Sequence, residues 1–335
     1  MPSRMTMRRS LVLGWAVLLL LLVLAASLAL GSTAIPLGEV WQALGQGCSD
    51  PACLIVREAR LPRTLAGLLA GAALGVAGTL MQALTRNPLA DPGILGVNAG
   101  ASFAVVLGIA LFGASGPEQY LGFAFGGALL ASLVVLLAGI AGGGGFNPMR
   151  LVLVGVALGA MLEGVSSGIA LLDPQVYDQL RFWQFGSLDV RQLELLRSAS
   201  LPVLGGVIVA LLLAPALNAL SLGTDLAVAL GTRVRQTQLL GLLAITLLCG
   251  AAAAAVGPIA FVGLMVPHLG RWAIGEDHRW LLPFVLLFTP SLLLTADIVG
   301  RLLVTNELRV SVVTAFLGAP LLIWLARRQR QGDRA

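Results

Sequence analysis

Lysine does not occur among the 335 residues, and charged residues of every kind make up only 11% of them. A soluble domain needs about 25% charged residues to cover its surface, so this scarcity excludes one. Apolar side chains make up 58% of the chain; many remain once a core is filled, and lipid is the solvent that accepts them. No long hydrophilic insertion interrupts the apolar runs between Leu11 and Ala326, which favours one integral membrane unit over a soluble domain on an anchor. The missing lysine also removes the phosphate loop Gly-x-x-x-x-Gly-Lys-Ser/Thr, so the chain does not bind ATP in that manner. The four glycines Gly142–Gly145 read as a turn instead. A net charge of +5 needs no nucleic-acid partner.

Histidine and cysteine are nearly as scarce. Cys48 and Cys53 flank the polar loop Cys-Ser-Asp-Pro-Ala-Cys, and His268 and His278 lie far downstream, so a zinc site lacks two ligands and no metal is expected. The cysteine pair is either two free thiols in a turn or, if the loop faces an oxidising compartment, a local disulfide. Cys249 lies within an apolar run. No acid or nucleophile clusters with His268, which reads as structural. No hydrolytic or redox signature is present, and no catalytic residue is assigned.

What the chain has is apolar segments, near 11–30, 64–84, 94–112, 121–141, 151–172, 199–217, 239–256, 259–274, 281–300 and 310–326. The first resembles a signal peptide, but its apolar core exceeds the usual length and can cross a bilayer, so it is read as a retained helix. The segment 259–274 is shorter than the roughly 20 residues of a lone span; a helix enclosed by others can be short or broken, because its free backbone groups find partners there. Gly257-Pro258 marks such a break. The expected fold is therefore an all-α integral membrane protein of about ten transmembrane helices. Gly67, Gly71 and Gly75 share one face of the second segment, and Gly155 and Gly159 one face of the fifth, a spacing that lets neighbouring backbones approach.

Ten crossings put both termini on one side. With the N-terminus inside, thirteen arginines fall inside and eight outside, the direction of the positive-inside rule. Cys48 and Cys53 then face outward. Two ionisable residues fall within segments. Asp297 precedes Arg301 by four residues and suits a helical ion pair. Glu163 shares the face of Gly155 and Gly159; an intramembrane carboxylate is costly and faces a bundle interior or a watery path, so a pathway role and a buried hydrogen bond both stay open. Ser166 and Ser167 lie just beyond it.

Two polar stretches stand out. The first, Asp173 to Arg197, mixes Tyr177, Arg181 and Trp183 in a pattern that suits a short helix at a pathway mouth. The second, 216–235, carries Leu217, Leu220, Leu222, Leu226 and Leu230 among Gly223, Asp225 and Gly231. These leucines suit either the membrane interface or a groove on a cytoplasmic partner.

Several stretches occur in a recognisable order: Arg60-Leu61-Pro62-Arg63, Asn87-Pro88-Leu89-Ala90-Asp91-Pro92-Gly93, Trp183 with Gly186-Ser187-Leu188, Gly257-Pro258-Ile259-Ala260-Phe261-Val262-Gly263, Asp277-His278-Arg279 and Ala296-Asp297 with Arg301. Together they resemble the permease subunits of bacterial importers for iron–siderophores, haem and cobalamin, over most of the chain. Before the last segment, Glu307-Leu308-Arg309-Val310-Ser311 stands where many members have Glu-Leu-Pro-x-Gly. That form, with Tyr177-Asp178-Gln179-Leu180-Arg181-Phe182-Trp183 and Leu220-Ser221-Leu222-Gly223, looks like the permeases of ferric enterobactin importers.

The resemblance implies the ten-helix architecture of the cobalamin-importer type, a second homologous permease paired with this one, and alternating access at the bacterial inner membrane. Two copies of a cytoplasmic ATPase, with ATP and magnesium as their cofactors, would supply the energy, and a periplasmic siderophore-binding protein the cargo. It implies docking of that protein at Arg60, Arg63 and Arg301, and coupling to the ATPase through residues 217–233. It turns the choice for the leucines toward the partner groove. Glu163, Ser166, Ser167 and Trp183 are the pathway candidates. An ion-coupled secondary transporter would show several more intramembrane charges.

Overall fold

The computed structural model describes residues 2–31, 33–45, 50–140, 148–304 and 307–332. The turn expected at Gly142–Gly145 lies outside them. The described chain is helical almost throughout, in helices labelled α1 to α14 in chain order. Each of the ten apolar segments coincides with a helix: α1 (Pro2–Ala29), α4 (Leu61–Thr85), α5 (Val97–Phe112), α6 (Pro117–Ile140), α7 (Pro148–Leu172), α9 (Leu193–Ser221), α11 (Val234–Val256), α12 (Val262–Ile274), α13 (His278–Leu303) and α14 (Val310–Gly332). Among the described residues, seven stretches are long and apolar enough to cross a membrane; α5 and α14 supply shorter apolar helices, and α12 has only 13 residues. Helix length alone thus stops short of the expected ten crossings. The remaining helices are short: α2 (Leu37–Gly45), α3 (Pro51–Leu54), α8 (Pro174–Gln184) and α10 (Thr224–Ala229).

The core forms around α4, which packs against α9, α11, α12 and α13. Its glycines permit this. A Cβ at Gly71 would stand 2.5 Å from the Pro290 Cα, one at Gly67 would meet Leu294, and one at Gly75 would meet Thr289. The expected glycine face is thus the seam with α13. Gly78 continues the glycine face but meets α12, its Cα facing the carbonyl of Gly263. In α7 the expectation splits: Gly155 packs on the Ile94 carbonyl, whereas Gly159 has only Ala99 at ordinary distance, 3.8 Å.

Two helices start late, for a physical reason. Gly257, just past α11, packs against the Trp183 carbonyl and Gly186, yet Gly263 meets Gly78, well along α4. Residues 257–261 therefore run into the bundle without helix, so that α12 needs few residues; the expected segment 259–274 is helical only from Val262. A 3₁₀ turn, Pro92–Leu95, similarly precedes α5. Such backbone is tolerated at membrane depth where protein encloses it. Before α4, residues Ile55–Arg60 form a π-helical turn, a distortion that tends to accompany functional positions.

Candidate functional site

Three arginines meet at one end of the bundle. Helix α1 leaves its last carbonyls without helical partners, and two arginines reach them. Arg60 donates from Nη1 to the carbonyls of Leu28 (2.8 Å) and Ala29 (2.7 Å), and from Nη2 to that of Thr33. Arg301 donates to the carbonyls of Ser27 (3.2 Å) and Leu30 (2.9 Å). Cations at a helix C-terminus also complement its dipole. Arg63 clasps Asp297, with Nε 3.0 Å from Oδ2 and Nη2 2.9 Å from Oδ1, and reaches Glu307 at 2.7 Å. Arg301 Nε lies 3.1 Å from Asp297 Oδ2, the expected i,i+4 pair.

The resemblance would have these arginines project outward to a docking partner. The structure brings all three together but leaves Arg60, Arg63 and Arg301 only 5%, 8% and 6% exposed, each committed to groups of this chain. Asp297 is wholly buried. Among the described residues of the cluster, Glu307 is the one that opens to solvent, at 40%. Beside it, Arg309 donates to the Phe185 carbonyl at 3.1 Å and stands over the Phe185 ring. Sequence reading missed this role, although the departure Arg309 from the usual proline marked the position.

The segment 173–192 covers the same end. Asp173 caps α8, accepting from the backbone N–H of Gln175 and Val176, and Pro174 suits the first helical position. The short amphipathic helix expected there is present. Trp183 is half-buried and borders a cavity of about 590 Å³ with Tyr120, Gln179, Phe185, Arg191 and Val256; Tyr120 donates its hydroxyl to Gln179 at 2.7 Å. A second cavity, about 440 Å³, lies between α7 and residues 91–99 and is lined by Glu163, Gly159, Asn98 and Asp91. The Asp91 carboxylate accepts from the Gly93 N–H at 2.7 Å. Asp91 joins Glu163 unanticipated; the motif containing it was visible, its placement was not.

Among the pathway candidates, Glu163 and Ser167 are exposed on α7. Ser166 is buried and donates to the Leu162 carbonyl at 2.7 Å, so it faces its own helix. Cys53 is disulfide-bonded, and Cys48 lies outside the described residues. His268 makes an edge contact with Trp272, centroids 4.7 Å apart. Among the described residues, no three of His, Cys, Asp and Glu converge as metal ligands.

At the opposite end, α10 follows α9 after Gly223, whose φ of 111° suits glycine; Gly231, at 81°, ends it. Leu222, Leu226 and Leu230 are exposed at 59%, 56% and 66%, and Asp225 is exposed in the first turn. Val228, which sequence reading passed over, adds to this apolar face. Leu217 and Leu220 differ from expectation. Both are buried in the last turns of α9 and are unavailable to a partner's groove.

The model of the FecCD transport family matches residues 18–328. The chain is 60% identical over 332 residues, 99% of each sequence, to the ferric enterobactin transport system permease protein FepD of Escherichia coli strain K12. It is 40% identical over 326 residues, 96% of each, to the hemin transport system permease protein HmuU of Yersinia pestis. A solved metal-chelate type ABC transporter in an inward-facing conformation superposes with a TM-score of 0.82 at 29% identity, covering 95% of this chain and 99% of that one.

Proposed function

The chain belongs to the FecCD transport family, and from that premise we propose that it is a permease subunit of an ATP-driven importer carrying ferric enterobactin across the bacterial inner membrane. The observation that carries the cargo assignment is the 60% identity to the ferric enterobactin permease over nearly all of both chains. The finer features follow the same reading. Ten helices cross the bilayer, both termini are cytoplasmic, and the arginine end faces outward. A second, homologous permease completes the pathway, two ATPase subunits bind inside, and a periplasmic binding protein delivers the siderophore.

The geometry supports a division of labour. Leu222, Leu226, Val228 and Leu230 form an apolar face outside the bundle, suited to a groove on the ATPase. The exposed face of α7, with Glu163 and Ser167, suits the pathway side. Docking of the delivery protein is proposed at the Arg63–Glu307 edge, where an acidic residue of that protein would exchange with Glu307; Arg60 and Arg301 hold α1 beneath it. Transport then requires that nucleotide and loaded binding protein favour different conformations, since binding that prefers neither shifts nothing.

The test is uptake of radiolabelled ferric enterobactin by a strain lacking its own permease and complemented with this chain together with its partner subunits. Uptake of ferric enterobactin over a hydroxamate complex, hemin and cobalamin is the expected result. Uptake of one of the others alone would overturn the cargo assignment while leaving the family intact.

A further inference from the structure

The polar joint at the end of the bundle near α10 starts within the segment 217–233, but at Asn218, a residue that the roles described so far do not use. Asn218, in the last turn of α9, accepts at Oδ1 from the His278 backbone N–H (2.9 Å) and lies 2.8 Å from His278 Nδ1. From Nδ2 it donates to Asp277 Oδ1 at 2.6 Å. Asp277 in turn caps α13, accepting from Arg279 N–H at 3.1 Å, and its other oxygen stands 3.7 Å from Arg9 of α1. Arg9 also donates to the Ile274 carbonyl at 3.1 Å. His278 is only 4% exposed, whereas the side chains of Arg9 and Asp277 are 20% and 30% exposed, so the joint runs from the packed interior at His278 to the edge of the bundle at Arg9.

The position of this joint in the chain makes it informative. Six residues after Asn218, α10 begins. On the other side of the joint α13 starts, and its 26 residues span about 39 Å. At its far end α13 carries Asp297 and Arg301, the centre of the arginine network. Where α9 and α13 pack together, this carboxamide thus supplies a hydrogen-bonded link between the segment leading to α10 and a helix that reaches the opposite end.

Building on the importer reading, we propose that Asn218 is the coupling joint of this permease: its carboxamide passes displacement of the α10 segment to α13, and through α13 to the network at Asp297. It is a positioning residue and touches neither cargo nor nucleotide. A leucine at 218 matches its size but offers neither the acceptor nor the donor. An aspartate keeps the acceptor and sets a carboxylate against Asp277.

The test uses the complete importer, both permeases with the ATPase pair, in lipid nanodiscs and proteoliposomes. Ferric enterobactin on its binding protein is the probe. Expected for Asn218→Leu is ATP hydrolysis without binding protein within about twofold of the parent. Its stimulation by the loaded binding protein, and cargo moved per ATP, should both fall by about tenfold. Asp277→Asn still offers an acceptor to Asn218 and should retain most of the coupling. Unchanged cargo per ATP in Asn218→Leu overturns the proposal, as does equal loss in Asp277→Asn. If Asn218→Leu does not assemble, Asn218→Ser, too short to reach Asp277, gives the same readout. A parent complex that moves no ferric enterobactin refutes the cargo assignment; the joint is then judged from the same ratio with whichever cargo the parent does move.

Discussion

Arg63 and Asp297 lie 234 residues apart in the chain and meet in a two-pronged ion pair, Nη2 to Oδ1 at 2.9 Å and Nε to Oδ2 at 3.0 Å. The pair joins α4 to α13 where both end against α1. Removing one member leaves the other buried with a single ionic partner, Asp297 with Arg301 or Arg63 with Glu307, a larger loss than the pair's own net contribution. Arg63→Ala or Asp297→Ala should each cost about 3 kcal/mol or more, and the double variant less than the sum. Denaturant unfolding in detergent measures the cycle; strict additivity would contradict the geometry. Replacing all three arginines with glutamate would gather carboxylates around Asp297 and break the fold, so that change is no test of docking.

Glu307 provides the gentler test. Its carboxylate is partly solvated and contacts Arg63 at 2.7 Å, so Glu307→Gln should cost only about 0–1 kcal/mol of stability. If the delivery protein docks on this edge, freeing Arg63 should tighten its binding and raise the salt dependence. Surface plasmon resonance on the nanodisc complex reads both; an unchanged affinity removes Arg63 from the docking surface.

The seam between α4 and α13 predicts a size limit. A methyl at Gly71 meets the backbone of Pro290, which has no rotamer to yield, so Gly71→Ala should destabilise by about 1–3 kcal/mol. At Gly205 of α9 an added Cβ meets nothing within 4 Å, and Gly205→Ala should stay within about 0.5 kcal/mol. Parallel thermal unfolding of the two variants decides it.

Helix α10 predicts a partner effect without a folding effect. Leu226→Asp alters a side chain already 56% exposed, so the permease should accumulate and unfold as before. Recovery of the ATPase on affinity purification should drop sharply. The same change at Leu217, fully buried in α9, should instead lower the amount of folded protein.

Cys53 and Cys249 should differ in chemistry. Cys53 is oxidised and Cys249 is a buried free thiol. A membrane-impermeant maleimide should label Cys53 only after reduction and leave Cys249 unlabelled until the protein is denatured. Labelling of Cys53 before reduction would show the thiol free.

The apolar segments, the break at Gly257-Pro258, the short helix after Asp173 and the glycine face of α4 were legible in the sequence. Each depends on local chemistry: hydrophobic run length, backbone freedom, or side-chain spacing along one helix. The i,i+4 relation of Asp297 and Arg301 was legible for the same reason. Where each arginine spends its donors was decided only by tertiary structure. Arg60 reads as an outward cation until the frayed end of α1 is placed beside it, and Asp297 reads as Arg301's partner until Arg63 arrives from α4. Leu217 and Leu222, five residues apart, look equivalent by composition; the end of α9 buries one and exposes the other. The joint at Asn218 joins residues from three helices. Sequence spacing along one helix carries no information about which other helix will stand beside it, because that choice belongs to the packing of the whole bundle.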